Sequence, residues 1–208
     1  MILGAETINL SQLRDIWPNP CCGMLGVVLA VFVLLPVIWS FTTYNSLVRL
    51  RQLVRESWSG IDTELKRRYD LIPNLVETVK GYAAHERTTL EQVVQSRAGA
   101  VASTGSPASQ AKDENALVGS LRQLLAVAEN YPQLKANENF LALQKELANT
   151  EDRIQAARRF YNANVRDLNT RVGVFPSNLI AGMFHVQPAE FFEIDEAVRR
   201  APAPQVNL

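Results

Sequence analysis

Cysteine is nearly absent from this chain: two residues in 208, adjacent at Cys21 and Cys22. Neighbours in sequence rarely bridge each other, so no intramolecular disulfide is expected to hold the fold. Histidine is as scarce, with His85 and His185 lying far apart in the chain. His85-Glu86 has the opening of a zinc-binding HExxH, but position 89 is Thr89, so the second ligand is missing. Net charge is absent as well: 21 Lys and Arg stand against 21 Asp and Glu, which calls for neither nucleic acid nor an acidic substrate. The motifs GxSxG, GxGxxG and GxxxxGK(S/T) do not occur, so serine-hydrolase and nucleotide-binding readings have no support. No stretch reads as a strand, and the fold class is all-α.

What is present is one long apolar run, Met24 to Thr42, inside a segment without charge from Ile16 to Val48. Nineteen residues of helix rise about 28 Å, close to the thickness of a bilayer's hydrocarbon core. A soluble core helix would show a polar face at regular intervals, and this run shows none. It reads as a transmembrane helix over residues 23–43, with Pro36 expected to kink it and Trp39 and Thr42 near its far end. The preceding segment lacks a basic n-region and no small-x-small cleavage site follows, so the helix is expected to stay as an anchor. Arg49, Arg51 and Arg55 follow the run, against Arg14 alone before it. That asymmetry places residues 1–22 outside and the larger C-terminal part in the cytoplasm of a bacterial inner membrane.

From Tyr44 the chain turns amphipathic without a breaker. Leu47, Leu50, Val54, Ser57, Ile61 and Glu64/Leu65 step by threes and fours, a helical stripe. Pro73 predicts the first break, with the chain bending or turning between Tyr69 and Asn74. A second helix is expected from Leu75 to Val94, and a flexible loop over the small-residue stretch AGAVASTGSPASQ. Asp113 is a candidate cap for a third helix, closed by Tyr131-Pro132, and Asn137 for a fourth reaching about Arg171. Phe175, Phe184, Phe191 and Phe192 lie in a proline-interrupted segment expected to wrap irregularly on the bundle, each phenylalanine packed; residues 203–208 should be loose. The architecture is a four-helix bundle, residues 44–202, on a membrane stalk.

Two charged clusters remain. Trp58, Asp62, Arg67, Arg68, Tyr69 and Asp70 form a candidate interaction surface, weighed against a solvated face with ion pairs. Glu193, Asp195 and Glu196 could hold a cation, although adjacent acids more often complement a nearby arginine or cap a short helix. No catalytic, cofactor or metal residue is assigned. Near the membrane, Leu47, Leu50 and Val54 are expected to stay exposed, because other helices must turn back before reaching lipid. They form a candidate homo-oligomer interface.

The block YNSLVRLRQLVRESWSGIDTELKRRYDLIPNLVETVKGYAAHE resembles the LemA family of bacterial membrane proteins, as do RRFYNANVRDLNT and the closing FPSNLIAGMFHVQPAEFFEIDEAVRRAP. The likeness extends from Tyr44 to Pro202. It implies an N-terminal membrane helix, a short external N-terminus and a cytoplasmic antiparallel four-helix bundle, without an established enzymatic activity. The family also includes proteins of magnetosome membranes, and nothing here points specifically there. Three functions stay open: a membrane-anchored scaffold or adaptor binding itself or other envelope proteins, a sensor or signal relay, and a metal-assisted enzyme using the acidic tail. The first is favoured, since about twenty external residues leave little room for a sensor's pocket and no catalytic set is visible. The expected partners are the lipid bilayer, further copies and envelope proteins, and no nucleic acid.

Overall fold

A computed structural model describes residues 20–193. They form helices α1 (Pro20–Lys80), α2 (Arg87–Ala102), α3 (Pro107–Ala128), α4 (Pro132–Lys135), α5 (Glu138–Gly173) and α6 (Ser177–Met183), and no strand occurs among them. The chain divides into two compact units, Met1–Ser46 and Leu47–Leu208.

In the first unit, every residue from Gly26 to Trp39 is exposed although nearly all are apolar. This stretch belongs to the one helix, among the described residues, long and apolar enough to cross a membrane. Its hydroxyls are satisfied by their own helix: Ser40 donates to the Pro36 carbonyl at 2.7 Å and Thr42 to the Trp39 carbonyl at 2.8 Å. That economy suits a medium without water. The expected external segment, with Arg14 and Trp17, lies outside the described residues as far as Asn19.

In the second unit α1 becomes one-sided. Leu47, Ser57, Ile61, Leu65, Arg68, Ile72, Leu75 and Val79 are buried, each three or four residues from its neighbour on the stripe once half-buried Leu50 and Val54 are included. The expected exposure of Leu47, Leu50 and Val54 is therefore corrected. Leu47 is 0% exposed, and Val54 packs against a core of Ile61, Leu65, Ala111, Ile154, Tyr161, Val165 and Phe192. The chain covers its own stripe, because α5 and the segment after it extend down to that level.

The break expected at Pro73 does not occur, and α1 runs on to Lys80. Proline lacks the N–H that would bond the carbonyl four residues back, that of Tyr69. Arg97 of α2 supplies the missing donor, its Nε lying 2.7 Å from the Tyr69 oxygen. The orphan is satisfied from outside the helix, which removes one reason for the helix to end.

Cross-links fix the packing of α5 on α1. Trp58 stacks edge-on against Tyr161, with ring centroids 5.3 Å apart. Ten residues further along α1, Arg68 meets Glu151, ten residues back along α5. Tyr82, just past α1, meets Asn137, the N-cap of α5, in the same register. The two helices run antiparallel without slippage. Likewise α2 and α3 oppose each other, through Glu86 with Tyr131 at one end and Ser103 with Asp113 at the other. A second core draws on every long helix, with Ile72, Leu75 and Val79 of α1, Leu90 and Val93 of α2, Leu117 and Leu124 of α3, and Phe140 and Leu147 of α5.

Helix limits depart from the sequence reading in instructive places. The small-residue stretch is mostly helical, leaving only residues 103–106 as a connection, since alanine favours helix and only the serine, glycine and proline cluster breaks it. Ser106 caps α3, accepting from the Ser109 N–H at 3.4 Å. Asp113 falls inside α3 and accepts from the Ser103 hydroxyl at 2.6 Å, tying down the end of α2. Tyr131-Pro132 opens the short α4 instead of closing α3. Asn137 does cap α5, accepting from the Phe140 N–H at 3.0 Å.

The phenylalanine segment splits in two. Phe192 is 0% exposed and Phe191 half-buried against the same core, whereas Phe175 is 73% and Phe184 51% exposed. Packing of all four is thus corrected. Phe175 and Phe184 sit around a short helix, α6, whose inward positions are already filled by Ser177, Ile180 and Ala181.

Candidate functional site: a buried arginine node and an asparagine clasp

The α1 stripe explains the most unusual side chain in the second unit. Continuing it beyond Leu65 by three residues reaches Arg68, which is 1% exposed. A buried guanidinium is tolerated only with partners for its charge and its donors. Arg68 Nη2 donates to Glu114 Oε2 of α3, itself buried, and Nη1 donates to Glu151 Oε2 of α5 at 2.9 Å. The Tyr69 hydroxyl donates to the other Glu114 oxygen, and the Tyr69 carbonyl accepts from Arg97 of α2. Two consecutive residues of α1 thereby reach all three other long helices.

This node ties helices together: both terminal nitrogens of Arg68, the Glu114 carboxylate and the Tyr69 hydroxyl are engaged with one another or with Glu151. Of the guanidinium's nitrogens, Nε is the one left without a hydrogen-bond partner among the described residues. Burial, then the hydrogen bond and charge of Glu114, push the Tyr69 hydroxyl well above its ordinary range. It therefore stays protonated at neutral pH and serves Glu114 as a fixed donor. Removing one member of such a set strands a buried charge, at a cost of about 3–5 kcal/mol.

The expected interaction surface of Trp58, Asp62, Arg67, Arg68, Tyr69 and Asp70 is consequently divided. Arg68 faces inward, Trp58 and Tyr69 are half-buried, and Arg67 pairs with Glu64 at 3.6 Å. Asp62 and Asp70 stay exposed, with Lys66 midway between them. The reason is helical geometry: steps of four keep 62, 66 and 70 on one outer strip, while 58, 61, 65, 68 and 72 form the inner one.

A second polar device lies on α5. Asn169 donates through Nδ2 to the Ala189 carbonyl at 2.9 Å and accepts the Ala189 N–H at 2.8 Å. Asn162 does the same for Phe192, at 3.1 and 3.0 Å. Between them the Tyr161 hydroxyl donates to the Glu190 carbonyl at 2.8 Å. Seven helical residues rise about 10.5 Å, and three extended residues cover about 10 Å, so the two spacings match. The clasp thus reads backbone, and it delivers Phe192 edge-on to Trp58, centroids 5.3 Å apart. Burial pushes the Tyr161 hydroxyl upward too, with the Glu190 charge adding to it.

His85 and Glu86 lie in the turn after α1, not on a helix face, and Glu86 accepts from the Tyr131 hydroxyl at 3.3 Å. Glu193 is exposed, while Asp195 and Glu196 lie outside the described residues. Among the described residues no three His, Cys, Asp or Glu side chains are grouped to hold a metal. The sequence reading missed Glu114, Glu151, Arg97, Asn162 and Asn169. The first three carry no local signal, but asparagines seven apart on a helix that disfavours them do.

A family model described as LemA family matches residues 57–207, which takes in the node and the clasp. The chain belongs to the LemA family. Protein LemA of Metamycoplasma hominis is 26% identical over 156 residues, 74% of this chain and 71% of that protein. The magnetosome proteins MamQ 1 and MamQ 2 of Paramagnetospirillum magneticum are each 26% identical over 175 residues, 72% of this chain. The match covers 64% of each of these two proteins, so the chain spans less than two thirds of their length. Magnetosome protein MamQ of Magnetospirillum gryphiswaldense is 24% identical over 198 residues, 82% of this chain and 73% of that protein. Among its described residues this LemA-family chain is all-helical, with a long apolar helix near the N-terminus.

Proposed function

We propose that this protein is a membrane-anchored scaffold that works by binding other proteins, or further copies of itself, at a bacterial inner membrane. The observation that carries the reading is α1 itself: one helix, Pro20–Lys80, holds both a bilayer-length apolar stretch and the inner stripe of the second unit. The buried ionisable groups support binding over catalysis, since Arg68, Glu114 and Tyr69 are engaged with one another. The outer strip of Asp62, Lys66 and Asp70 is the part of the expected interaction surface that a partner can reach. The basic flank of Arg49, Arg51 and Arg55 supports a cytoplasmic second unit with the N-terminus outside.

The test is site-specific photocrosslinking in living cells, with a benzophenone amino acid in place of Lys66 in the full chain. Discrete adducts, absent when the probe replaces inward Ile61, are the expected result. If the strip gives no adduct at any of its three positions, this face is not where the protein binds. Protease added to spheroplasts checks orientation, and digestion of the second unit from outside would contradict the assignment.

A further inference from the structure

We infer that α6 and the residues before it form a lipid-docking surface, by which the second unit lies against the bilayer headgroups. The segment is apolar on two sides. Its inner face, Ser177, Ile180 and Ala181, is buried. On α6, Leu179 and Met183 stand one helical turn apart and are exposed by 60% and 70%, and in the turn just before it Phe175 and Val174 are exposed by 73% and 53%. Water is a poor solvent for such a face, and contiguous apolar surface of this kind marks an interaction site.

The register of α5 on α1 says what covers it. Trp58 pairs with Tyr161, so eleven residues back along α1 and eleven on along α5 bring Leu47 level with Val172. Residues 174–176 separate Gly173 from the start of α6. The patch therefore sits at the Leu47 end of the second unit. Leu47 follows the last residue of the apolar run, Thr42, by five residues, which even fully extended span only about 17 Å. If the run crosses a bilayer, that end of the unit cannot lie far from the lipid surface. The inference rests on this anchoring. Charge at the same end agrees: Arg49, Arg51, Arg166 and Arg171 are exposed there against Asp167 and Glu190, a balance that anionic headgroups favour. Apolar side chains flanked by arginines are the composition of a segment lying in the interface.

The test uses the full chain carrying Cys21→Ser and Cys22→Ser, reconstituted in vesicles of phosphatidylglycerol and phosphatidylcholine. An environment-sensitive fluorophore is placed on one cysteine at a time: Leu179→Cys in the patch, Leu34→Cys in the apolar run, and Gln92→Cys on the exposed side of α2. Lipids brominated close to the headgroup should quench the label at 179 and leave the label at 92 bright. Those brominated deep in the acyl chain should quench the label at 34. A label at 179 as bright as that at 92, with 34 quenched, overturns docking and leaves the anchor standing. A label at 34 that no lipid quenches removes the anchor, and with it this inference. Blue-shifted emission at 179 without quenching means a protein surface covers the patch, which also overturns the lipid assignment.

Discussion

Two stretches of α1 share a backbone conformation and little else. From Gly26 to Trp39 it presents apolar side chains in every direction and buries none of them. From Leu47 to Val79 it buries a stripe and leaves the remaining faces to charged and polar residues. The pattern of side chains around a helix records its solvent: an all-round apolar surface suits lipid, and a stripe suits a protein core. Polar groups sharpen the contrast. Hydroxyls bond back to their own helix in both regions, at Ser40 and Thr42 just past the apolar stretch and at Ser57, Thr63 and Thr78 in the striped one. The striped stretch adds Arg68 and Tyr69, which bond across to other helices, so polarity there specifies which elements meet.

The largest test of the second stretch is Arg68→Ala. It strands Glu114 in the core and should lower stability by about 3–5 kcal/mol in denaturant titrations of the purified chain. The paired change Arg68→Met with Glu114→Leu should recover most of that loss, because it leaves no buried charge unmatched. An Arg68→Ala midpoint equal to the parent's would mean that the node does not hold the helices.

The four phenylalanines provide a graded comparison under the same assay. Phe192→Ala empties a fully buried site and should cost about 3–5 kcal/mol. Half-buried Phe191→Ala should cost visibly less. Phe175→Ala, outside the core, should stay within about 0.5 kcal/mol of the parent in detergent. Equal losses at 192 and 175 would break the division of this segment into a clasped part and an outward-facing part.

Arg97→Ala withdraws the donor that satisfies the Tyr69 carbonyl and should cost roughly 1.5–3 kcal/mol. In a Pro73→Ala background residue 73 regains its N–H, so the same change should cost much less. An identical cost in both backgrounds would separate Arg97 from the helix's passage through Pro73.

The smallest effect is on pH dependence. The Tyr69 and Tyr161 hydroxyls are held above their ordinary value of 10.0 by burial, with Glu114 and Glu190 adding to it. Above pH about 10 the unfolded chain therefore loses protons that the folded chain keeps, and stability falls as pH rises. Below that value these two groups add no slope. Tyr69→Phe should make the alkaline decline shallower, and an unchanged decline would show that Tyr69 does not contribute to it.

Much of this was legible in the sequence, because hydrophobic period is a local property. The apolar run, the stripe from Leu47 to Leu65 and the Asn137 cap all follow from neighbours in sequence. What was not legible depends on distant partners. Nothing near Pro73 announces that Arg97 will satisfy the orphan carbonyl, and nothing near Arg68 announces Glu114. The six charged and aromatic residues of the candidate interaction surface are close in sequence but do not share one face. Carrying the stripe three residues past Leu65 would have turned Arg68 inward. Phe175 lies outside the core for the opposite reason: composition alone does not tell which phenylalanines Asn162 and Asn169 gather in.

The most direct test of one helix in two solvents is a nitroxide scan along α1, from Val27 to Ile61, in reconstituted bilayers. Oxygen accessibility should be high at every site from 27 to 39, without helical periodicity. Beyond Leu47 it should oscillate with the period of a helix, with minima at 47, 50, 54, 57 and 61. Periodic minima between 27 and 39, or a flat profile beyond 47, would contradict the account.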